Sequence, residues 1–314
     1  MIPITSIWYA YLGVWQIGLV PVEDKSYRIP PPFSVLDESI DEATIDSFRQ
    51  IVYAYYRKFG RRLPWRDTRN PYEILVSEFM LQQTQVPRVL PKYREFLDRW
   101  PDIESLASSE FRSILAAWQG LGYNRRAKAL HESATKIVEA YSGRVPSEYE
   151  ALIALPGIGT ATAAAVRSFA FSIPDIYLET NVRRVFIYFF FPKSDRVSDR
   201  EILPIADLAL DRRDPRAWSY ALMDYGVLLK RLPNPNRRSS HYTRQAPFEG
   251  SDRQIRGGLI KYLLQRDVAD RDELVANLPY DKLRIEKCAA ALVAEGMVSE
   301  EIGGYSITRS TQDD

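Results

Sequence analysis

The stretch that most constrains this chain is LPGIGTATAAAV, residues 155–166. Gly157 and Gly159 permit a turn with positive φ and let a ligand come close to the backbone. The small residues behind them, from Thr160 on, predict a helix. The first N–H groups of such a helix have no partner in the preceding turn and sit at the positive end of its dipole. That end is a seat for phosphate. Tyr149–Ala154 reads as a short helix, so the unit is helix–hairpin–helix. A tight helical connection with no ligand is the plainer alternative. Just downstream stand Glu179, Asn181, Arg183 and Arg184, one carboxylate among donors.

With 314 residues and 46% hydrophobic content, the chain can bury one large and one small core. Its net charge of +1 does not mark a nucleic-acid binder, but the distribution of charge is uneven. Residues 211–256 carry ten Lys/Arg against five Asp/Glu, and residues 257–314 carry seven against eleven. A basic belt before an acidic tail fits a local phosphate-binding surface, or a solvated charged face. A single cysteine, Cys288, excludes disulfide frameworks and multi-cysteine metal centres. With only His131 and His241 beside it, zinc is not expected. The apolar run Ile7–Val20 is short for a membrane span, contains Gln16 and has no basic residue before it. Residues 1–40 read as a strand or short helix with an extended linker.

Helical spacing over Asp46–Phe59 ends at Gly60, and the next helix starts near Tyr72 and carries ILVSEFMLQQTQV. Within it Glu78 stands among Leu75, Val76, Phe79 and Met80, where an apolar residue would be unremarkable. A carboxyl buried among apolar groups has its pKa raised and can hold a proton near neutrality, as a general acid requires. A glutamate on the solvated helix surface is the alternative. Gln82, Gln83, Thr84 and Gln85 suit hydrogen bonding to bases or wedging into a duplex, or form a polar helix end. Tyr123, between glycines and a helix, can stack on a base or pack inward. Val182–Phe191 is aromatic core, and the turn-rich basic stretch from Leu232 to Ser239 marks a boundary. Beyond Arg253, three amphipathic helices and a terminal hairpin read as a winged-helix-like segment, which reads DNA or serves a structural or protein-binding role.

Residues from about 47 to 232 resemble the helix–hairpin–helix DNA glycosylases, most closely their adenine glycosylase branch. The matching segments, in the family's order, are LPWR (63–66), SEFMLQQTQV (77–86), WQGLGYNRRA (118–127), LPGIGTATAAAV (155–166), ETNVRRV (179–185) and ALMDYG (221–226). The resemblance implies a mainly α fold of two subdomains with the active site between them. It divides the chain into an extension (1–46), a glycosylase domain (47–232), a basic linker (233–252) and the winged-helix-like segment (253–314). A base must leave the duplex before its glycosidic bond can be reached. The leaving purine takes a proton, and the sugar acquires oxocarbenium character that a nearby anion stabilises. The resemblance places Glu78 at the family's acid and Glu179, with Asn181, at its carboxylate beside the sugar. It also places Gln83 at the duplex-inserting glutamine and Tyr123 at the tyrosine wedge, with Gln82 a further candidate DNA contact beside them. Leu155, Gly157, Gly159, Thr160 and Thr162 fall on the phosphate clamp, and Arg183, Arg237 and Arg238 on the DNA surface. The implied partner is double-stranded DNA with a mismatched or damaged base, met by a cytoplasmic monomer with no membrane contact. A monovalent cation at the hairpin is the one ion the resemblance leaves room for.

Three departures stand out. Glu179 occupies a position where the family usually has aspartate, which moves the carboxylate by about one C–C bond and calls for an adjusted cleft. Ala161 stands where bifunctional members carry a Schiff-base lysine, so hydrolysis by water without efficient strand cleavage is expected. The segment after Leu232 reads PNPNRRSSHYTRQ, without the four cysteines that hold an iron–sulfur cluster in most relatives. A glycosylase for a mismatched or modified pyrimidine, and a DNA-binding protein without chemistry, are the other readings.

Overall fold

The computed structural model describes residues 27–33 and 40–309; the expectations for Ile7–Val20 lie outside them. The chain is helical almost throughout. In order it forms α1 (Glu42–Phe59), α2 (Pro64–Asp67), α3 (Pro71–Leu81), α4 (Val86–Arg99), α5 (Ile103–Ala107), α6 (Phe111–Ala117) and α7 (Arg125–Tyr141). Then follow α8 (Tyr149–Ile153), α9 (Thr160–Phe171), α10 (Thr180–Phe190), α11 (Asp199–Ala209) and α12 (Pro215–Leu228). Helices α13 (Asp252–Leu264), α14 (Arg271–Asn277) and α15 (Lys282–Ala294) precede strands β1 (Val298–Glu301) and β2 (Gly304–Ile307). None of these helices is long and apolar enough to cross a membrane.

Local chemistry fixes the boundaries. α1 starts one turn before the expected Asp46, because the Asp41 carboxylate caps it by accepting from the Thr44 N–H at 2.8 Å. α3 opens on an Asn70 cap with Pro71 in its first turn and stops at Leu81. The sequence runs this helix on through Val86. Instead the chain turns at Gln83, whose φ is 55°, and restarts as α4 with Pro87 in its first turn. The glutamines therefore sit on a loop between two helices.

Two cores result. One gathers Phe79, Phe96, Ile114, Trp118 and Leu130 from the helices between α2 and α9. The other gathers Phe48 of α1 with Phe186, Phe189, Trp218 and Tyr225 of α10 and α12. The aromatic run of α10 is core, as its composition predicted. Residues 27–33 lie extended over this second core, with Phe33 donating to the Phe189 carbonyl at 3.1 Å and the Tyr188 hydroxyl donating to that of Pro30 at 2.8 Å. Between the cores, Ile74, Ala165, Phe169 and Tyr220 form a small seam cluster.

At the C-terminal end, α13, α14 and α15 are followed by an antiparallel hairpin in which Val298 pairs with Ile307. Ala269 adds an isolated antiparallel bridge to Tyr305. The apolar face of this module runs on into the first core. Arg112 of α6 donates to the carbonyls of Leu264 and Arg266 at 3.1 and 2.8 Å, tying the module down.

Candidate active site

Glu78 lies in the second half of α3 and is 7% exposed. Burial pushes its carboxyl up, the nearby negative charge of Glu179 pushes it further, and Arg66 offsets only part, leaving it at about 8. The carboxyl therefore carries a proton at neutral pH. Phe79, Leu75 and Val76 beside it are fully buried, which is why the desolvation is strong.

Glu179 is built the opposite way. It is the N-cap of α10, and its Oε1 accepts from the Asn181 and Val182 N–H groups at 2.7 and 3.1 Å. The Asn181 amide donates to its Oε2 at 3.3 Å. Glutamate is not among the favoured caps; its extra methylene here lets an extended residue curl its carboxylate back onto the helix start. Asn181 is fixed in turn by Arg184, which donates to the Asn181 Oδ1 at 2.8 Å and to the Gly226 carbonyl at 2.7 Å. A Cβ on Gly226 would stand 2.2 Å from the Asn181 carbonyl oxygen, so glycine in ALMDYG is what lets α12 reach α10. Tyr177 feels both carboxylates. Burial first, then Glu78 and Glu179, hold its phenol far above the ordinary range and protonated.

An ion network braces this seam. Asp224 of α12 is 2% exposed and accepts from Arg66 at 2.8 Å through both oxygens and from the Arg61 Nε at 2.6 Å. Burial alone would raise the Asp224 carboxyl, but its bonds to Arg66 and Arg61 outweigh this and hold it low. Arg66 also lies over the Tyr220 ring at 4.4 Å, and the Tyr220 hydroxyl is buried without a hydrogen-bond partner. Neither Arg66 nor Asp224 nor Tyr220 stood out in sequence, although LPWR and ALMDYG contain two of them.

The hairpin leads into α9. Gly157 has φ 73°, and a Cβ there would meet Ala129 at 2.7 Å and Phe79 at 2.9 Å, so the turn is pressed against α3 and α7. Gly159 differs from expectation: its φ of −95° suits any residue. What it contributes is room, since nothing lies within 4 Å of a Cβ placed there and α9 has no side-chain cap. The start of α9 is thus bare. Its Thr160 is exposed, whereas Leu155 is 2% exposed and belongs to the core, not to a contact surface. Thr162 is buried as well and accepts from the Gln82 amide at 3.3 Å.

The segment from residue 76 to 206 matches the family model of the HhH-GPD superfamily of base excision DNA repair proteins. An adenine DNA glycosylase of Mycobacterium tuberculosis is 34% identical over 281 residues, covering 81% of this chain and 90% of that protein. The chain belongs to the HhH-GPD superfamily. An adenine DNA glycosylase of Buchnera aphidicola is 37% identical over 193 residues; the match covers 60% of this chain and 54% of that enzyme. A thermostable thymine-DNA glycosylase of known structure superposes with a TM-score of 0.54 at 27% identity, covering 58% of this chain and 85% of that one. As a DNA glycosylase of this superfamily, the chain has its two carboxylates where the two helical subdomains meet.

The loops that carry Gln82–Gln85 and Gly120–Tyr123 are organised by a residue the sequence did not single out. Arg126 is 8% exposed and donates to the carbonyls of Phe79 and Met80 at 2.8 Å, to the Thr84 hydroxyl at 2.9 Å and to Gly122 at 3.0 Å. One guanidinium thereby closes the end of α3 and joins the Gln82–Gln85 loop to the Gly120–Tyr123 loop. Burial brings it down to about 10. Gln82 turns inward, also donating to the Gly157 carbonyl at 3.3 Å, while Gln83 is exposed. Tyr123 is half-buried with φ 50°. Each of the two loops that Arg126 joins carries a non-glycine residue in the costly left-handed region, Gln83 on one and Tyr123 on the other.

Among the expected DNA contacts, Arg183 and Arg238 are already committed. Arg183 forms an ion pair with Asp199 at 2.6 Å. Arg238 donates to the carbonyls of Phe191, Ser194 and Ile187 and so closes the end of α10. Arg237 is exposed. The cysteine-free segment is held by ordinary hydrogen bonds, including the Asn236 amide to the Thr180 carbonyl at 2.7 Å and a parallel bridge of Val197 to Ser239. Among the described residues, no cluster of His, Cys, Asp and Glu has the makings of a metal site. At the hairpin, the carbonyls of Ala154, Pro156 and Gly157 already accept from Lys136, Ser133 and Gln82.

Proposed function

We propose that this chain is a monofunctional adenine DNA glycosylase, acting on a mispaired adenine in double-stranded DNA and releasing it by hydrolysis. The observation that carries this is Glu78, a buried carboxyl at about 8 within electrostatic reach of the cap-anchored carboxylate of Glu179. Adenine leaves as a neutral base only if its five-membered ring is protonated, and Glu78 holds the proton to give. As the bond from C1′ to the base breaks with its electron pair, positive charge develops on the sugar, and the Glu179 carboxylate lies ready for it. Water adds to C1′ and returns its proton to Glu78, so the enzyme is regenerated. Two relatives named as adenine DNA glycosylases support the choice of base. With Ala161 at the position of the Schiff-base lysine, no amine is available to cut the strand.

The phosphate clamp in this reading is the bare start of α9 at Gly159 and Thr160, with Arg237 added from the basic segment. The protein acts as a monomer without an iron–sulfur cluster, because Cys288 alone cannot supply four thiolates. A monovalent cation at the hairpin would have to use the second lone pairs of carbonyls that already accept a bond.

A second reading, release of a mismatched thymine, rests on Glu179 in place of the usual aspartate and on the 27% identity to a thymine-DNA glycosylase. Single-turnover release from duplexes holding A opposite G, A opposite 8-oxoguanine, T opposite G and U opposite G decides between them. Adenine release with strand nicking only after alkali is expected. Thymine release with silence on adenine would overturn the first reading and establish the second.

A further inference from the structure

The C-terminal module and the linker before it converge on a side chain of the Gly120–Tyr123 loop. The Tyr123 hydroxyl accepts a hydrogen bond from the Gln245 amide and another, at 2.8 Å, from the Arg253 guanidinium. Two guanidinium groups also lie over the Tyr123 ring, that of Arg126 at 5.6 Å and that of Arg253 at 5.8 Å from its centroid. Both are held by bonds that do not involve Tyr123. Arg126 is fixed at the end of α3 by the carbonyls of Phe79 and Met80. Arg253, in the first turn of α13, donates to the Ala246 carbonyl at 2.6 Å. The tyrosine is therefore the member of the set whose position is imposed.

That posture needs support. At φ 50° Tyr123 occupies a region that is costly for any residue with a Cβ. Gly120 and Gly122 before it have open space where a Cβ would stand, so nothing packs against the loop on their side.

The support is itself anchored. Glu295, at the end of α15, accepts from Arg125, two residues after Tyr123, and from Arg256 of α13 at 2.7 Å. Burial opposes its charge, yet the bonds from Arg125 and Arg256 bring the carboxyl to about 2. The module is therefore clamped beside the loop at every pH near neutrality.

The Tyr123 ring forms part of the wall of a cavity of about 830 Å³ that Arg88, Arg125, Arg126, Arg253 and Arg256 face against the single acid Asp252. A basic groove with an aromatic wall takes nucleic acid by charge and by stacking. An aromatic side chain contributes most there when it is ordered beforehand, because ordering it on contact subtracts from affinity.

We infer that Arg253 and Gln245 are positioning residues that set Tyr123 in its duplex-contacting posture before DNA arrives, and that this bracing is the task of the C-terminal module. The inference rests on the glycosylase reading for its ligand, double-stranded DNA.

The test is a double-mutant cycle on the full chain, read as equilibrium binding to one duplex that carries a tetrahydrofuran abasic-site analogue. Arg253→Ala should weaken binding about three- to tenfold, and Gln245→Ala about two- to threefold. In a Tyr123→Ala background neither change should alter affinity by more than about 1.5-fold, because an effect that works through Tyr123 disappears with it. Arg253→Ala should also keep the wild-type salt dependence, whereas loss of a phosphate contact would lower that slope by about one. Gln245 is exposed on the linker, so its variant carries the cycle if Arg253→Ala unfolds. Equal weakening in both backgrounds, or the lower salt slope, would show that Arg253 meets the DNA itself and would overturn the inference. So would unchanged affinity in both single variants, or a wild-type chain with no affinity for the duplex. No base release is involved, so a failure of the glycosylase assay is a separate event.

Discussion

Helices α9 and α10 start with the same problem and solve it oppositely. Each presents unpaired N–H groups at the positive end of its dipole. α10 fills its own end: Glu179 caps it and places a fixed negative charge at the seam. α9 begins at Gly159, with no cap and with open space where a side chain would stand. The first end carries its anion within the chain, and the second has none. On the proposed reading, one residue at the cap position separates a catalytic element from a binding one.

The largest effect expected on this contrast comes from the acid that has no helix end to support it. Glu78→Gln should slow base release about 100- to 10,000-fold in single-turnover assays while binding to an abasic-site duplex persists. Undiminished release would remove Glu78 from the chemistry. Glu179→Gln should cost about 100- to 1,000-fold in release, with less than about 1 kcal/mol of stability lost in thermal unfolding because the amide oxygen can still cap. A variant that loses stability but not rate would reduce Glu179 to a cap.

The contrast can also be inverted. Gly159→Asp gives α9 the built-in anion that α10 has, and should stabilise the fold by about 0.5–1 kcal/mol. The same change sets like charge against a phosphate, at a cost of several kcal/mol, so DNA affinity should fall at least a hundredfold in a titration. Retained affinity would show that the start of α9 meets no phosphate. Gly157→Ala is expected to cost about 2 kcal/mol in unfolding, from its positive φ and its contacts with Ala129 and Phe79.

The smallest effect is one of pH. Glu78 holds its proton to about 8 when folded but releases it near the ordinary 4.5 when unfolded, so the native state binds the extra proton between those values. Wild-type stability should fall as pH rises through that window. Glu78→Gln lacks this slope, so the melting temperature of the variant relative to wild type should rise steadily between pH 5 and pH 8.5. Parallel melting curves for the two proteins would contradict a buried, protonated Glu78.

What could be read from sequence were the residues out of place in their own neighbourhood. Glu78 in an apolar helix and two glycines before a small-residue helix violate a local pattern, and the violation was the signal. Arg126 and Asp224 violate none. An arginine after a loop and an aspartate in a helix look solvated until the fold brings carbonyls 46 and 47 residues away, or guanidinium groups 158 and 163 residues away, into contact. Arg238 misled for the same reason: a basic loop invites a DNA role, but the end of α10 had prior need of it. Helix limits failed where a side chain set them, at Asp41 and at the turn through Gln83.

The Arg61–Asp224–Arg66 triad has a mechanical consequence. It is bolted across the joint between the two halves of the enzyme, dry on the Asp224 side and bonded through both carboxylate oxygens. Opening that joint would leave a buried carboxylate without its partners, which is costly. On the proposed reading, the deformation for entry then falls on the nucleic acid, whose unstacking costs least where a pair is already poor. A stiff protein of this kind would sort its substrates by the softness of the DNA before any atom of the base is touched.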